Sequence, residues 1–234
     1  MHPVLKLLIS LKEIDHQLDL FRAEIEKNEK LIQEKENNIK SLKLSTSSIE
    51  KKLKDTLLIL KKEEEILKEI EYKIEQKNKE YFAGKITNAK ELKAFQREMA
   101  HLREEKDEKE TDVLLIMEEL EKLKAETEKT KEKSKKSIKT WEKEIGELRE
   151  EIEKTEEKFK NIEEKRQDLI QKIEKKYYNI YEEIKREKPN PIVEVKENIC
   201  TGCHLVIPEQ VITKVMEDDE IIMCPNCGRI LYKG

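Results

Sequence analysis

Residues 81–88 read Tyr81-Phe82-Ala83-Gly84-Lys85-Ile86-Thr87-Asn88, and they decide what a long run of helical sequence does next. Gly84 can take the left-handed backbone that ends a helix. Asn88, with Glu91 three residues on, has the pattern of a capping box that opens another. Upstream, stepping by seven from Val4 gives Leu11, Leu18, Ile25, Ile32, Ile39, Thr46, Leu53, Leu60, Leu67, Ile74 and Tyr81, with Thr46 as the one polar member. A companion series from Leu7 through Ile14 and Phe21 is weaker. An unbroken seven-residue apolar repeat predicts a left-handed coiled coil.

A new seam follows the break: Leu92, Phe95, Met99 and Leu102, then Val113, Ile116, Leu120 and Leu123. It fades through Thr127, Thr130 and Ser134, and resumes out of step at Ile138, Trp141, Ile145, Leu148 and Ile152, running on to Ile173 and Ile180. The four-residue steps from Thr130 to Ser134 to Ile138 are a stutter, which changes the supercoil locally. Folding back near Ile86 makes an intramolecular antiparallel hairpin, with residue 46 near 126, so that Ser45–Ser48 faces the polar Thr127–Ser137 stretch in a flexible or kinked zone. A parallel two-chain coil would need helix through residues 82–91, which Gly84 and the lost register oppose.

The composition agrees with rods rather than a thick globule. Charged residues are 44% of the 234, against roughly 25% in an ordinary domain, and aromatics are 5%. The charges are interleaved, 49 basic against 53 acidic, which points to solvated helices rather than disorder. No proline lies between Val4 and Lys188, whereas Pro189, Pro191, Pro208 and Pro225 follow. We therefore place a boundary there, with a coiled-coil hairpin over 1–188, turning near 83–88, and a second domain over 189–234. No window approaches the apolar length of a membrane span, and no leader is visible, so a cytoplasmic protein with reduced cysteines is expected.

All four cysteines fall in the tail, as Cys200-Thr-Gly-Cys203 and Cys224-Pro-Asn-Cys227. Paired Cys-x-x-Cys turns at this separation are a strong signal for tetrahedral zinc. Gly202 and Gly228 flank the turns, where backbone N–H groups commonly point at sulfur. Ile192–Val195, Glu220–Met223 and Arg229–Tyr232 look like short strands, so the tail reads as a β zinc ribbon with one structural Zn²⁺ on Cys200, Cys203, Cys224 and Cys227. Cys200-Thr-Gly-Cys203-His204 also spells a haem-attachment motif, but the second cysteine pair favours zinc. His204 reads as a surface residue beside the knuckle.

The fold class is thus mainly α, a long antiparallel coiled-coil hairpin followed by a small β zinc ribbon. No phosphate loop, nucleophile elbow or His-Glu-x-x-His motif occurs, so neither catalysis nor a small-molecule substrate is expected. Two lysine-rich stretches offer nucleic-acid contacts. One contains Lys131, Lys133, Lys135, Lys136 and Lys139; the other contains Lys175, Lys176 and Arg186, interleaved with Tyr177, Tyr178 and Tyr181, which could stack on bases. Solvated helix surface and packed tyrosines are the plainer readings of the two. The tail, with five basic and seven acidic side chains over 188–234, is a poor phosphate magnet.

Thr87-Asn88-Ala-Lys90-Glu91-Leu92-Lys-Ala-Phe95-Gln-Arg97-Glu98 and Cys224-Pro-x-Cys227-Gly-Arg-Ile-Leu-Tyr232 resemble the central and C-terminal motifs of the bacterial C4-type zinc-ribbon family with an N-terminal coiled-coil hairpin. The resemblance implies a non-enzymatic, chaperone-like adaptor acting on protein partners. It also implies links to sigma-54, to flagellar and secretion components, and to RNA. The runner-up reading is an RNA-binding regulator using the lysine-rich surfaces. A third, insertion of an acidic hairpin tip into RNA polymerase, is disfavoured because Lys85-Ile86-Thr87-Asn88 has no carboxylate.

Overall fold

The computed structural model describes residues 2–84, 88–217 and 220–233. Helix α1 spans Pro3–Phe82 and α2 spans Ala89–Gln171. A short α3, Lys175–Glu187, leads to β1 (Ile192–Lys196), β2 (Ile199–Cys200), α4 (Glu209–Glu217) and β3 (Ile230–Lys233). Gly84 takes φ +71°, and the Glu91 N–H donates to Asn88 Oδ1 at 2.8 Å, so the expected stop and start signals both operate. The centre of the expected turn, 85–87, lies outside the described residues. Packing divides the chain into two compact units, residues 1–33 with 145–234, and residues 34–144.

In the 34–144 unit α1 and α2 pair as an antiparallel coiled coil. Ile39, Ile70, Met99, Val113 and Leu120 are buried along the seam. Tyr81, which continues the heptad series, is exposed and stacks on Phe95 instead, with ring centroids 5.1 Å apart. Cross-helix ion pairs fix the register: Lys77–Glu98, Lys106–Glu71, Lys109–Glu63, Lys131–Glu50 and Lys35–Glu144. At the polar stretch Thr46 Oγ1 lies 3.0 Å from Ser134 Oγ, so Ser45–Ser48 does face the Thr127–Ser137 stretch, with the partner of residue 46 about two helical turns beyond residue 126. Residue 126 is an exposed glutamate, which has no place in a seam. The buried hydroxyls satisfy one another and nearby carbonyls, Thr46 on Leu42 and Thr127 on Leu123, so α2 runs through the stutter as unbroken helix.

In the other unit the start of α1 lies against the end of α2 and all of α3. Ile173 and Ile180 do not continue a single α2, as the seam pattern suggests, because the helix stops at Gln171 and restarts at Lys175. No proline or glycine marks that break. Tertiary packing produces it, since Ile173 and the fully buried Tyr181 both enter one core with Leu5, Leu8 and Leu11. Asp15 of α1 is buried at this level and accepts three hydrogen bonds. They come from Arg166 Nε of α2 at 2.6 Å, and from Tyr181 Oη and Lys185 Nζ of α3, both at 2.7 Å. Arg166 Nη2 also donates to Glu182 at 2.7 Å. A buried carboxylate tolerates its lost hydration only when so supplied with donors.

The three-stranded sheet has order β2-β1-β3, with β1–β2 antiparallel and β1–β3 parallel. Alternation gives β1 and β3 two apolar faces. Ile192, level with Ile230, enters the core of Leu8 and Tyr181; Val193, level with Leu231, enters a second core with Val195, Cys200, Ile207, Val215 and Cys224. The segment 220–223 is not a strand: it meets β3 through an isolated bridge from Met223 to Ile230, and Ile221 and Ile222 pack against the two cores. Helix α4 lies where the sequence reading places no element, although Val211, Ile212 and Val215 have helical spacing.

Burial opposes ionisation of Asp15, but the bonds from Lys185, Arg166 and Tyr181 outweigh it and hold the carboxyl below its usual value. Burial, reinforced by the Asp15 bond, pushes Tyr181 well above the usual phenol range. The Asp15 contribution is therefore full at neutral pH and lost as pH falls below roughly 4. The Tyr181 contribution is lost only as pH rises above roughly 10. Asp15→Ala, which strands Arg166 and Lys185, should cost about 3–5 kcal/mol in chemical denaturation followed by circular dichroism. It should also flatten the acid limb of stability against pH.

Candidate metal centre

The site is assembled by two similar knuckles. Residues Glu197 and Asn198 take φ 51° and 64°, forming the two-residue turn that joins β1 to β2 and delivers Cys200. The first knuckle closes with the His204 N–H donating to Cys200 O at 2.8 Å; the second closes with the Gly228 N–H donating to Cys224 O at 2.8 Å. His204 and Gly228 occupy equivalent positions, with φ 59° and 72°. His204 is exposed, as the sequence suggests, and serves its knuckle through its backbone. Gly202 is needed for space rather than for its dihedral: a Cβ there would lie 2.8 Å from Arg229 Cδ and 2.9 Å from a Val193 methyl.

The four sulfurs converge within 4.8 Å of one another. Cys200 Sγ is 3.8 Å from Cys227 Sγ, and Cys203 Sγ is 3.9 Å from Cys224 Sγ. Those separations are far beyond the roughly 2.05 Å of a disulfide. They match the edge of a tetrahedron with ~2.3 Å zinc–sulfur bonds, which is ~3.8 Å. Four soft donors, two buried and two half-buried, suit one structural zinc, and all four positions would be filled by protein. Such a centre fixes the two knuckles to each other and leaves no place for water or substrate.

Burial pushes the Cys200 thiol up to about 12, against the pull of the Cys203 and Gly202 N–H groups aimed at its sulfur. Burial raises Cys224 as well, opposed by the N–H groups of Cys227 and Asn226. Burial also works against Cys227, but the Arg229 N–H and guanidinium prevail and bring it down to about 7. Arg229 is the residue that sequence reasoning passed over. Its Nε donates to Asn190 O at 2.8 Å and its Nη1 to Gly202 O at 3.1 Å, so one side chain ties the second knuckle to the first and to the entry segment. Lys188 donates to Cys227 O at 2.8 Å, and Lys12 of α1 to Ile192 O at 3.0 Å. Only Arg229, directly after the last cysteine motif, carried a sequence signal.

The lysine-rich candidates fall elsewhere. Lys133, Lys135, Lys136 and Lys139 are exposed on α2, while Lys131 pairs with Glu50 at 2.9 Å. Lys175 and Arg186 are exposed on α3, and Lys176 lies over the Tyr177 ring at 5.6 Å. Tyr181 is fully buried, with Tyr177 and Tyr178 half-buried against the same core. That arrangement leaves Tyr181 no exposed face for a base. Among the described residues no helix is long and apolar enough to cross a membrane.

A coiled-coil hairpin bearing a four-cysteine ribbon defines the class. Residues 199–231 match the C4-type zinc ribbon domain, and residues 11–189 match the CT398-like coiled coil hairpin domain. The chain belongs to the CT398-like coiled-coil hairpin family. CT398 from Chlamydia trachomatis has a similar structure, with TM-score 0.88 at 20% identity over 99% of this chain and 98% of that one. The HP0958 protein from Helicobacter pylori CCUG 17874 gives TM-score 0.58 at 25% identity over 98% and 97%. A protein from Mycobacterium smegmatis gives 0.68 at 18% over 100% and 99%. No curated protein matches the chain.

Because the bound form needs thiolates, zinc uptake releases protons, and apparent affinity should rise with pH across roughly pH 6 to 8. Chelator competition at several pH values measures this. Elemental analysis should find one zinc per chain, and Cys200→Ser should lose it together with resistance of the ribbon to proteolysis.

Proposed function

We propose that this protein is a non-enzymatic zinc-binding adaptor, a chaperone-like scaffold. In this reading one zinc held by Cys200, Cys203, Cys224 and Cys227 stabilises residues 189–234 as a recognition module for protein partners. The observation that carries the proposal is the outer surface of the ribbon. Leu205 and Val206 project beside the first knuckle at 52% and 70% exposure, and Met223 precedes the second at 50%. Exposed large apolar side chains concentrated on so small a module favour a protein surface as their partner. The net acidic charge of the tail argues the same way, since it repels phosphate. The family resemblance supports sigma-54 or flagellar and secretion components as the partner class, in the cytoplasm.

A second reading, RNA binding, rests on Lys133, Lys135, Lys136 and Lys139, which lie exposed in one turn-to-turn run on α2. Electrophoretic shift at low and near-physiological salt tests it. Binding that survives the higher salt and drops in a Lys133→Glu/Lys136→Glu variant supports it, and absence of a shift removes it.

Tagged protein should recover partners from its own cells. Val206→Asp, on an exposed side chain, should lose them while retaining zinc. Recovery of the same partners by Val206→Asp and by Cys200→Ser would show that the ribbon is not the docking element.

A further inference from the structure

The 34–144 unit carries a groove that the metal centre does not use. It has a volume of about 510 Å³ and opens between α1 and α2 where small hydroxyl residues replace seam aliphatics. Thr46 and Ser134 close its floor against each other at 3.0 Å, and Ile138 lines it with the stems of Lys131 and Lys135. Large seam residues would have filled this space, so the groove is a direct product of the polar stutter.

A second observation lies on the same face of α2. Residues three and four apart share a helix face. Stepping back from Lys131, that face passes Glu128, Lys124, Glu121, Met117 and Leu114. Leu114 is 62% exposed and Met117 45%, so an unpartnered apolar patch precedes the groove along one stripe. The charges on the stripe are ordered: Glu121 and Lys124 are mirrored by Glu128 and Lys131 about a point near residue 126.

We propose that a second copy of this chain covers this face, with the two α2 helices antiparallel about a two-fold axis near residue 126. Isologous contact means that residue i meets j and j meets i. Leu114 of each copy then reaches Ile138 in the groove of the other, Met117 lies along the stem of Lys135, Glu121 meets Lys131, and Lys124 meets Glu128. Lys131 is already held by Glu50 at 2.9 Å, which positions its charge at the groove mouth. At the outer edge Glu142 comes level with Glu110, whose charge is met by Lys106 at 3.2 Å. A parallel arrangement of the same stripes would set Glu121 level with Glu121 and leave each groove without its apolar insert. The charge order therefore selects the antiparallel partner.

Sedimentation equilibrium of the full zinc-loaded chain tests the proposal. Wild type should show twice the mass of one chain at higher concentration, and Leu114→Asp should sediment as a single chain with unchanged helicity, because Leu114 is exposed. Glu121→Lys and Lys131→Glu should each dissociate the pair, and the double variant should restore it. Carbodiimide coupling of mixed light and ¹⁵N-labelled protein should join Glu121 of one copy to Lys131 of the other. Within one helix these residues are about 15 Å apart, beyond a direct amide link. Wild type sedimenting as one chain at every concentration, dimer mass surviving both Leu114→Asp and Glu121→Lys, or light–heavy links confined to other sites would each overturn it.

Discussion

The carboxylate of Asp15 is the constraint on which the base of the molecule depends. It sits on α1 in the first turns of the chain, yet its donors come from α2 and α3, far along the sequence. A charge with so little access to water has few satisfactory arrangements, and three donors at 2.6–2.7 Å define one of them. The apolar core of Leu5, Leu8, Leu11, Ile173 and Tyr181 forms beside it, and that core is what receives Ile192 and Ile230 of the sheet. The ribbon thus rests on a surface whose helices are held in place by one acid.

The metal centre follows a different logic. Short strands and two tight knuckles build only a small core, the usual circumstance in which a small module relies on a metal. The helices need no such help, since cross-helix pairs and a long seam distribute their stability over many weak contacts. The exposed pairs among them contribute little each. Their value lies in register: they select one alignment of two highly charged helices from many that would bury similar area.

The features legible in the sequence were those enforced locally. A seven-residue apolar period can serve only a helical seam, Gly84 and Asn88 announce a helix end and a beginning through their own backbone and side-chain chemistry, and two Cys-x-x-Cys turns have few uses besides a metal. The features that escaped were set by distant partners. The break between α2 and α3 has no glycine or proline because Tyr181 and Ile173 are drawn into a core completed by the first residues of the chain. The exact partner of Thr46 depends on which polar seam positions can satisfy each other, so counting back from the turn brings the two polar stretches together but sets the level of residue 46 two turns short. Helix α4 has a local signal in Val211, Ile212 and Val215, weaker than the strand-like runs on either side of it. Asp15 looked like any other acid in a chain rich in them.

The strands β1 and β3 are a party wall. Ile192 and Ile230 furnish one side and Val193 and Leu231 the other, so neither room can be remodelled without moving the neighbour's plaster. Any coupling between metal occupancy on the ribbon side and the helical core would pass through these two strands. Linkage makes such coupling equal in both directions. Where it holds, a cell that starves this protein of zinc alters the helical end that borders the ribbon as well as the ribbon itself.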